Sequence, residues 1–308
     1  MTLEALNAAI DSGAIDEIIR VAEARQIKAI SRIADEITAR GSVRLVLLAG
    51  GSSSGKTTTS LRLATQLRVN GYEVRTLSTD DYFVGNARNP RDENGEFDYE
   101  HFDCVDVADL TADLAALFRG EAVRHRVYDF INHVPTWRDD KLSLSPNGII
   151  IIEGIHALNP RLTEGLDERL VYRLSIDPKP SLELFISIKP TSADARLLRR
   201  LVRDNRFRKI DPVETFHMWP KVLAGEKRWI DPFRARAEAH FDSYLEYELA
   251  ALKPFVGGLL EIARHRLGDT KEVLNMLRLV NAVKAISQVK IPGDSILRET
   301  IGGSQLDY

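Results

Sequence analysis

The sequence predicts an α/β fold in which helices cover both faces of a mostly parallel β-sheet. Residues 43–49 and 149–152 are short, nearly continuous apolar runs, as expected for strands that are buried on both faces. The segments after these runs carry apolar residues at the spacing of amphipathic helices. Because strands alternate with helices along the chain, we expect parallel strands joined by helical crossovers.

The first segment, residues 1–40, also has helical spacing, for example at Ile27, Ile30, Ile33 and Ile37. Small residues mark its first turn and its end. We therefore expect an N-terminal helical arm over residues 1–40, used for packing or for a dimer contact.

The main domain is expected over residues 41–265. We predict its strands at residues 43–49, 72–77, 149–152, 170–176 and 184–188. We predict its helices at residues 56–69, 107–118, 192–205, 212–224 and 231–252. A hairpin with a long polar loop is predicted from residues 122–128 and 141–144. Residues 266–308 predict a C-terminal helix, at 271–287, and a tail.

The composition is that of an ordinary globular protein, and it argues against several partners. The formal net charge of the 308 residues is −3, so no overall field attracts nucleic acid or an anionic membrane. No window approaches the roughly 20 apolar residues of a membrane helix. The single cysteine, Cys104, fits a reducing compartment. We expect a cytoplasmic protein with no nucleic-acid or membrane partner.

The strongest local signal is a phosphate-binding motif between the first strand and the first helix of the main domain. The eight residues are Gly50, Gly51, Ser52, Ser53, Ser54, Gly55, Lys56 and Thr57. Small residues let successive N–H groups surround an anion, and the helix N-terminus adds positive partial charge. Lys56 would reach the β- and γ-phosphates, and the Thr57 hydroxyl would bind Mg²⁺. The motif predicts a P-loop NTPase, a three-layer sandwich, but does not separate kinases from ATPases or GTPase switches.

Acidic residues follow two predicted strands that should end at the same edge of the sheet. Asp80 and Asp81 follow one strand, and Glu153 follows the four isoleucines of another. Ligands bind at the carboxyl ends of parallel strands, so these acids should lie beside the phosphate loop. We expect Asp80 to accept a proton from an attacking hydroxyl, and Thr57, Asp80 and Glu153 to surround Mg²⁺. Asp81 could instead cap a turn.

The sequence resembles the uridine kinase family, within the uridine kinase/phosphoribulokinase group of P-loop kinases. Six segments from about residue 43 to 255 carry the resemblance. They are the phosphate loop with Thr58, residues 77–83 with Asp80, Phe97-Asp98, residues 127–133, residues 152–155 with Glu153, and the basic residues 195–204.

The resemblance implies an enzyme that moves the γ-phosphoryl group of ATP, with Mg²⁺, to the 5′-hydroxyl of uridine or cytidine in pyrimidine salvage. It implies a small β-hairpin acceptor subdomain and a helical lid. The implied acceptor-binding residues are Asp80, Tyr82, Phe97, Asp98, Tyr128, Phe130, His133 and Arg200. Arg203 and Arg208 would join the phosphate loop in binding ATP, and the implied catalytic residues are Lys56, Asp80 and Arg203.

The chain departs from the family pattern after Arg208. Ile210 lies where the family usually has a second arginine, and residues 216–220 replace a glutamine-bearing helix that helps to bind the base. The arm at 1–40 and the tail at 294–304 resemble a longer bacterial, uridine kinase-like branch.

Other functions remain open at this level. A kinase of another small hydroxyl compound, such as pantothenate or a sugar phosphate, is an alternative. Arg124, His125 and Arg126 in the hairpin could favour an acceptor that already carries phosphate. A nucleotide-binding regulatory module with little kinase activity would predict no acceptor pocket. A homo-oligomer is compatible with the helices at both ends.

Overall fold

The computed structural model describes residues 1–130, 132–182 and 189–307. Its main sheet consists, in these residues, of five parallel strands in the spatial order β2-β5-β1-β6-β7. Their bounds are β1 Leu45–Ala49, β2 Val74–Ser78, β5 Ile149–Gly154, β6 Val171–Asp177 and β7 Ala239–Asp242. The parallel sheet predicted from the sequence is confirmed.

The register of this sheet brings the carboxyl ends of its strands together. Ala49, the last residue of β1, lies opposite Gly154 of β5 and Ser175 of β6. Ser78, the last residue of β2, lies opposite Glu153. The loops after β1, β2 and β5 therefore open at one edge of the sheet.

Helices cover both faces of the sheet and extend beyond it. The first four are α1 Leu3–Asp11, α2 Ile15–Arg40, α3 Lys56–Val69 and α4 Val107–Phe118. The later helices of the described residues are α5 Ser192–Arg208, α6 Pro212–Trp229, α7 Asp231–Arg234, α8 Glu248–Leu267, α9 Lys271–Ala282 and α10 Arg298–Ile301.

Within the described part of the chain, three apolar cores hold these layers together. One lies between the sheet, α2 and α3, and includes Ile33, Leu63 and Ile151. A second lies on the opposite face, between the sheet and α4. The third joins α1, α5, α6, α8 and α9 with residues 291–301. Since α2 also contributes Ile19 to the third core, it packs against both parts of the molecule.

The antiparallel hairpin differs from its prediction. It consists of β3, Val123–Asp129, and β4, Val134–Leu142, so the long polar loop is wrong and only residues 130–133 connect the strands. Most of β4 is exposed, including Trp137. A strand with little buried surface has no apolar alternation, and its polar sequence is therefore easily mistaken for a loop.

The predicted helix at 231–252 is also wrong. The chain instead forms the short helix α7, then β7, and only then α8. Strand β7 has four residues at the edge of the sheet, where Leu174 pairs with Ala239 and Ile176 with Phe241. The strand predicted at 184–188 lies outside the described residues. In the described part of the chain, no helix is both long and apolar enough to span a membrane.

Candidate active site

The phosphate loop connects β1 to α3 and passes very close to its neighbours. A Cβ atom at Gly50 would overlap the carbonyl oxygen of Ile176, and one at Gly51 would overlap the guanidinium of Arg196. Gly55 has a φ of 88°, in the left-handed region that favours glycine. Glycine at these three positions therefore suits the space around the loop and its backbone conformation.

The polar groups of this loop are arranged for an anion. The buried hydroxyls of Ser53 and Ser54 have no hydrogen-bond partner among the described residues. Lys56 Nζ donates to the Gly51 carbonyl oxygen at 3.2 Å, which folds the ammonium back over the loop. Such a concave set of donors at a helix N-terminus fits a phosphate chain.

A cavity of about 480 Å³ opens beside the loop at the sheet edge. Residues from the loop, the strand ends, the hairpin and α5 line it together. Among the predicted site residues, the lining includes Ser52, Ser53, Gly55, Lys56, Thr57, Asp80, Tyr128, Phe130, His133, Glu153, Arg200, Arg203 and Arg208.

The carboxylates of this cavity have raised pKa values. Burial raises the pKa of Asp80, and the nearby charges of Lys56, Arg208 and Arg203 oppose that shift. Burial, with the charge of Asp80 adding to it, raises the pKa of Glu153 to about 7. Perturbed carboxylates that converge in a cleft are typical of functional sites.

One pair of oxygen ligands fits a small divalent cation. The Thr57 hydroxyl donates to Glu153 Oε1 at 3.1 Å, and Asp80 lies close enough to raise the pKa of Glu153. No group of three or more His, Cys, Asp or Glu side chains that could hold a metal occurs in the described residues. Mg²⁺ usually takes only one or two protein carboxylates and completes its shell with water and substrate phosphates, so the pair is compatible with it.

Helix α5 packs its arginines against the phosphate loop. Arg200 Nη1 donates to the Ser52 hydroxyl at 2.9 Å. The fully buried carboxylate of Asp204 accepts from Arg200 at 3.0 Å, from Arg203 at 3.3 Å and from Arg208 at 3.5 Å. Burial and the charge of Arg203 lower the pKa of Arg208 to about 10, while Asp204 opposes this. One acid thus orients three cations toward the cavity.

A second arginine contact of α5 is buried completely. Arg199 makes a two-point ion pair with Glu248 of α8, at 2.7 and 2.6 Å, and Arg199 Nη1 donates to the carbonyls of Ser53 and Ser54 at 3.4 Å. The loop conformation therefore depends on α5 and α8 as well as on its own glycines.

Aromatic rings also line the cavity. Tyr128 and Phe130 contact edge to face, with ring centroids 5.1 Å apart, and both contact Phe83. His133 stacks on Tyr99 at 5.6 Å. The buried hydroxyl of Tyr128 has no hydrogen-bond partner among the described residues.

Three predicted acceptor residues do not line this cavity. The buried hydroxyl of Tyr82 donates to Asp113 at 2.9 Å. Phe97 packs beneath the guanidinium of Arg91, at 4.2 Å. Asp98 Oδ1 accepts from the Glu100 backbone, and the Asp98 carbonyl accepts from Cys104 Sγ at 3.0 Å. The side chains of these three residues contact other parts of the protein outside the cavity.

Four predicted nucleotide-binding residues are not part of the cavity lining: Gly50, Gly51, Ser54 and Thr58. They belong to the phosphate loop and to the first turn of α3. Cys104 is buried beside Asp98, and burial raises the pKa of its thiol to about 12.

Two acids that line the cavity, Glu100 and Glu299, are not among the residues predicted from the sequence. Glu100 faces Arg200 and Asp80, and burial raises its pKa to about 7. It lies two residues beyond Asp98, which was predicted to bind the acceptor and does not itself line the cavity. Glu299 reaches the loop from the C-terminal segment and bonds to Thr58, 241 positions away in sequence. No local pattern could have revealed that contact.

Comparison with known proteins identifies the family of this chain. The model of the Phosphoribulokinase / Uridine kinase family matches residues 45–250. A uridine kinase from Staphylococcus haemolyticus (strain JCSC1435) is 32% identical over 195 residues, which cover 63% of this chain and 84% of the relative. A uridine kinase from Staphylococcus aureus (strain JH9) is 34% identical over 164 residues, 53% of this chain and 70% of the relative.

A solved structure from Silicibacter sp. TM1040, provisionally named a fructose transport system kinase, has a TM-score of 0.50 and 19% identity. It covers 68% of this chain and 98% of its own, and at this identity it supports the fold alone. The family match, in contrast, spans about two thirds of the chain and includes the phosphate loop, the acids that follow β2 and end β5, and α5. This chain therefore belongs to the phosphoribulokinase/uridine kinase family and is an ATP-dependent kinase.

Proposed function

We propose that the chain transfers the γ-phosphoryl group of ATP to the 5′-hydroxyl of a pyrimidine nucleoside, uridine or cytidine. The observation that carries this proposal is the shared cavity. Lys56 of the phosphate loop, the carboxylate of Asp80 and the aromatic rings of the hairpin all line it. A donor site, a proton acceptor and an apolar ring-binding surface are what such a transfer needs.

In the proposed reaction, Asp80 accepts the proton of the acceptor hydroxyl. The hydroxyl oxygen forms a bond to the γ-phosphorus while the bond from that phosphorus to the β-bridging oxygen breaks, and ADP leaves. Lys56, Arg200, Arg203 and Arg208 offset the negative charge of the transferred group. Mg²⁺, held by Thr57 and Glu153, would supply further positive charge beside the phosphates when it binds with the nucleotide.

The aromatic lining supports an acceptor that carries a flat ring. The rings of Tyr128 and Phe130 line the cavity and can pack against a pyrimidine. Glu100, rather than Asp98, is the carboxylate suited to accept from ribose hydroxyls, because it lies in the cavity with Asp80. Ile210 and Met218 also line the cavity and add apolar surface beside the ring site.

A phosphorylated acceptor has less support. Arg126 is buried and pairs with Asp109 at 2.5 Å. His125 pairs with Asp140 at 3.0 Å, and Arg124 lies over the ring of Trp137. None of these three basic residues lines the cavity. These three basic side chains therefore contact other residues of the protein and do not form a phosphate site in the cavity.

The proposal is tested by measuring ADP release from ATP and Mg²⁺ with a panel of acceptors. The panel contains uridine, cytidine, the purine nucleosides, pantothenate and several sugar phosphates. We expect turnover with uridine or cytidine, and a product in which mass spectrometry and ³¹P NMR place the new phosphate on the 5′-oxygen.

Turnover with another alcohol alone would keep the kinase and overturn the nucleoside. ATP binding without turnover on any acceptor would instead favour the regulatory module. Phosphorylation of a nucleoside at another hydroxyl would overturn the proposed orientation of the ribose.

A further inference from the structure

The C-terminal segment, residues 291–303, reaches the phosphate loop. Its apolar side chains are buried in the core shared with α5, α8 and α9: Ile291, Ile296, Leu297 and Ile301. Arg298 donates to the carbonyls of Gln288, Pro292 and Gly302, at 2.9, 3.1 and 3.2 Å. These contacts fix the segment as a built part of the molecule.

Two side chains of this segment touch the phosphate-binding elements directly. A Cβ atom at Gly55 would overlap the Ile296 side chain, so the two are in close contact. Glu299 Oε2 accepts from the Thr58 hydroxyl at 2.9 Å and from the Thr58 backbone N–H at 3.5 Å. Glu299 also lines the cavity with Lys56 and Thr57.

The Glu299 carboxylate thus lies where the loop offers donors to an anion. The first N–H groups of α3 have no carbonyl partner within the helix, and they are the groups that a phosphate chain would use. A carboxylate on the same donors competes with the nucleotide for hydrogen bonds. It also repels the nucleotide, because two like charges within several ångströms raise each other's energy.

We propose that Glu299 sets the nucleotide affinity of this kinase by acting as an internal anion that competes with the nucleotide phosphates at Thr58. The backbone of residues 291–303 stays anchored, and only the Glu299 side chain leaves Thr58 when a nucleotide binds. The inference rests on the proposed phosphate site, and it adds a residue outside the segment that the family model matches.

The test is calorimetric titration of the full chain with ADP and with AMP. Glu299→Gln keeps the size and an acceptor oxygen but removes the charge. We expect the variant to bind ADP on the order of tenfold more tightly, with a smaller gain for AMP, which carries fewer negative charges. The gain should shrink at high salt if it is electrostatic. Asp294→Asn, an acid of the same segment that does not line the cavity, is the matched control and should leave both affinities unchanged.

An ADP affinity in Glu299→Gln that is unchanged or weaker would overturn the inference, and a weaker one would make Glu299 a favourable nucleotide contact. Glu299→Asp, which shortens the side chain, should also tighten binding if the hydrogen bonds to Thr58 matter. Lys56→Ala separates this inference from the phosphate site. Loss of ADP binding in Lys56→Ala, together with no change in Glu299→Gln, would leave the phosphate site standing and remove only the role of Glu299.

Discussion

Asp80 is the residue on which the proposed chemistry depends most. Its carboxylate lies in the cavity near Lys56, Arg203 and Arg208, whose charges favour the ionised form against burial. Asp80→Asn keeps the shape and removes the proton acceptor. We expect kcat to fall by about 10²–10⁴, the usual contribution of general base catalysis, while ADP binding by calorimetry stays within a few-fold of the wild type.

Asp113→Asn is a control for this change, since that acid accepts from Tyr82 away from the cavity. It should keep its turnover. Near-normal kcat in Asp80→Asn would remove Asp80 as the base, and loss of ADP binding would point instead to a role in holding the nucleotide.

Glu100 gives a prediction about stability and pH. Burial raises its pKa from 4.5 to about 7, so the folded protein binds a proton here more tightly than the unfolded chain does. By linkage, its ionised form destabilises the fold above pH 7, and this cost disappears as the pH falls toward 4.5.

Glu100→Gln should therefore raise the Tm of the ligand-free protein at pH 8 and change it little at pH 5. Differential scanning calorimetry at the two values measures this. Glu93→Gln, on the exposed part of the same loop, should give equal and small changes at both. An equal Tm gain at pH 5 and pH 8 for Glu100→Gln would contradict the linkage.

At the scale of elements, the contact between α5 and α8 holds the phosphate loop. The Arg199–Glu248 pair has side-chain exposures of 3% and 0%, so removal of one partner leaves a buried charge. Glu248→Gln should lower the free energy of unfolding by about 3 kcal/mol. It should also raise the KM for ATP, because Arg199 donates to the Ser53 and Ser54 carbonyls.

Denaturant unfolding and steady-state kinetics measure the two effects. The matched control is Asp269→Asn, which breaks an exposed pair with Arg264 and should cost less than about 1 kcal/mol. A similar loss in both variants would show that burial does not decide the value of the Arg199–Glu248 pair.

The hairpin is the element that should select the acceptor. Phe130 is 55% exposed and lines the cavity, so a bound ring could cover its face. Phe130→Ala should raise the KM for the nucleoside about tenfold, the loss expected for one stacked base, and leave the KM for ATP unchanged.

Trp137→Ala is the control on the same hairpin, because Trp137 is also exposed but does not line the cavity. Its nucleoside KM should stay near the wild-type value. Equal effects of the two substitutions would mean that the hairpin acts through its general stability.

The elements also show what can be predicted from sequence. The strand–loop–helix around Lys56 was predicted well, because the motif and the apolar run of β1 are both local. Strand β7 was mistaken for helix, since Ala, Phe, Tyr and Leu in 239–252 suit helical spacing and only pairing with β6 makes the short strand. The Glu299–Thr58 contact depends on tertiary structure alone.

At the scale of the molecule, the division into an arm at 1–40, a main domain and a tail remains a prediction. Helix α2 contributes to two cores, and residues 291–301 complete the third. We therefore expect one cooperative thermal transition for the full chain, with the same midpoint by far-UV circular dichroism and tryptophan fluorescence.

ADP should move that single midpoint upward, because only the folded state offers the phosphate site. Lys56→Ala, which removes a loop cation, should weaken this shift. Two separate transitions, or a shift in only one probe, would favour independently folding parts.

The buried thiol of Cys104 has a practical consequence. It is the sole cysteine of the chain, it is inaccessible, and the raised pKa of about 12 keeps it in the unreactive thiol form. A cysteine introduced at exposed Asn132, at the tip of the hairpin, would then react alone with a maleimide fluorophore without first replacing the native residue. Its emission would report acceptor binding in single-molecule or bulk fluorescence, independently of any turnover.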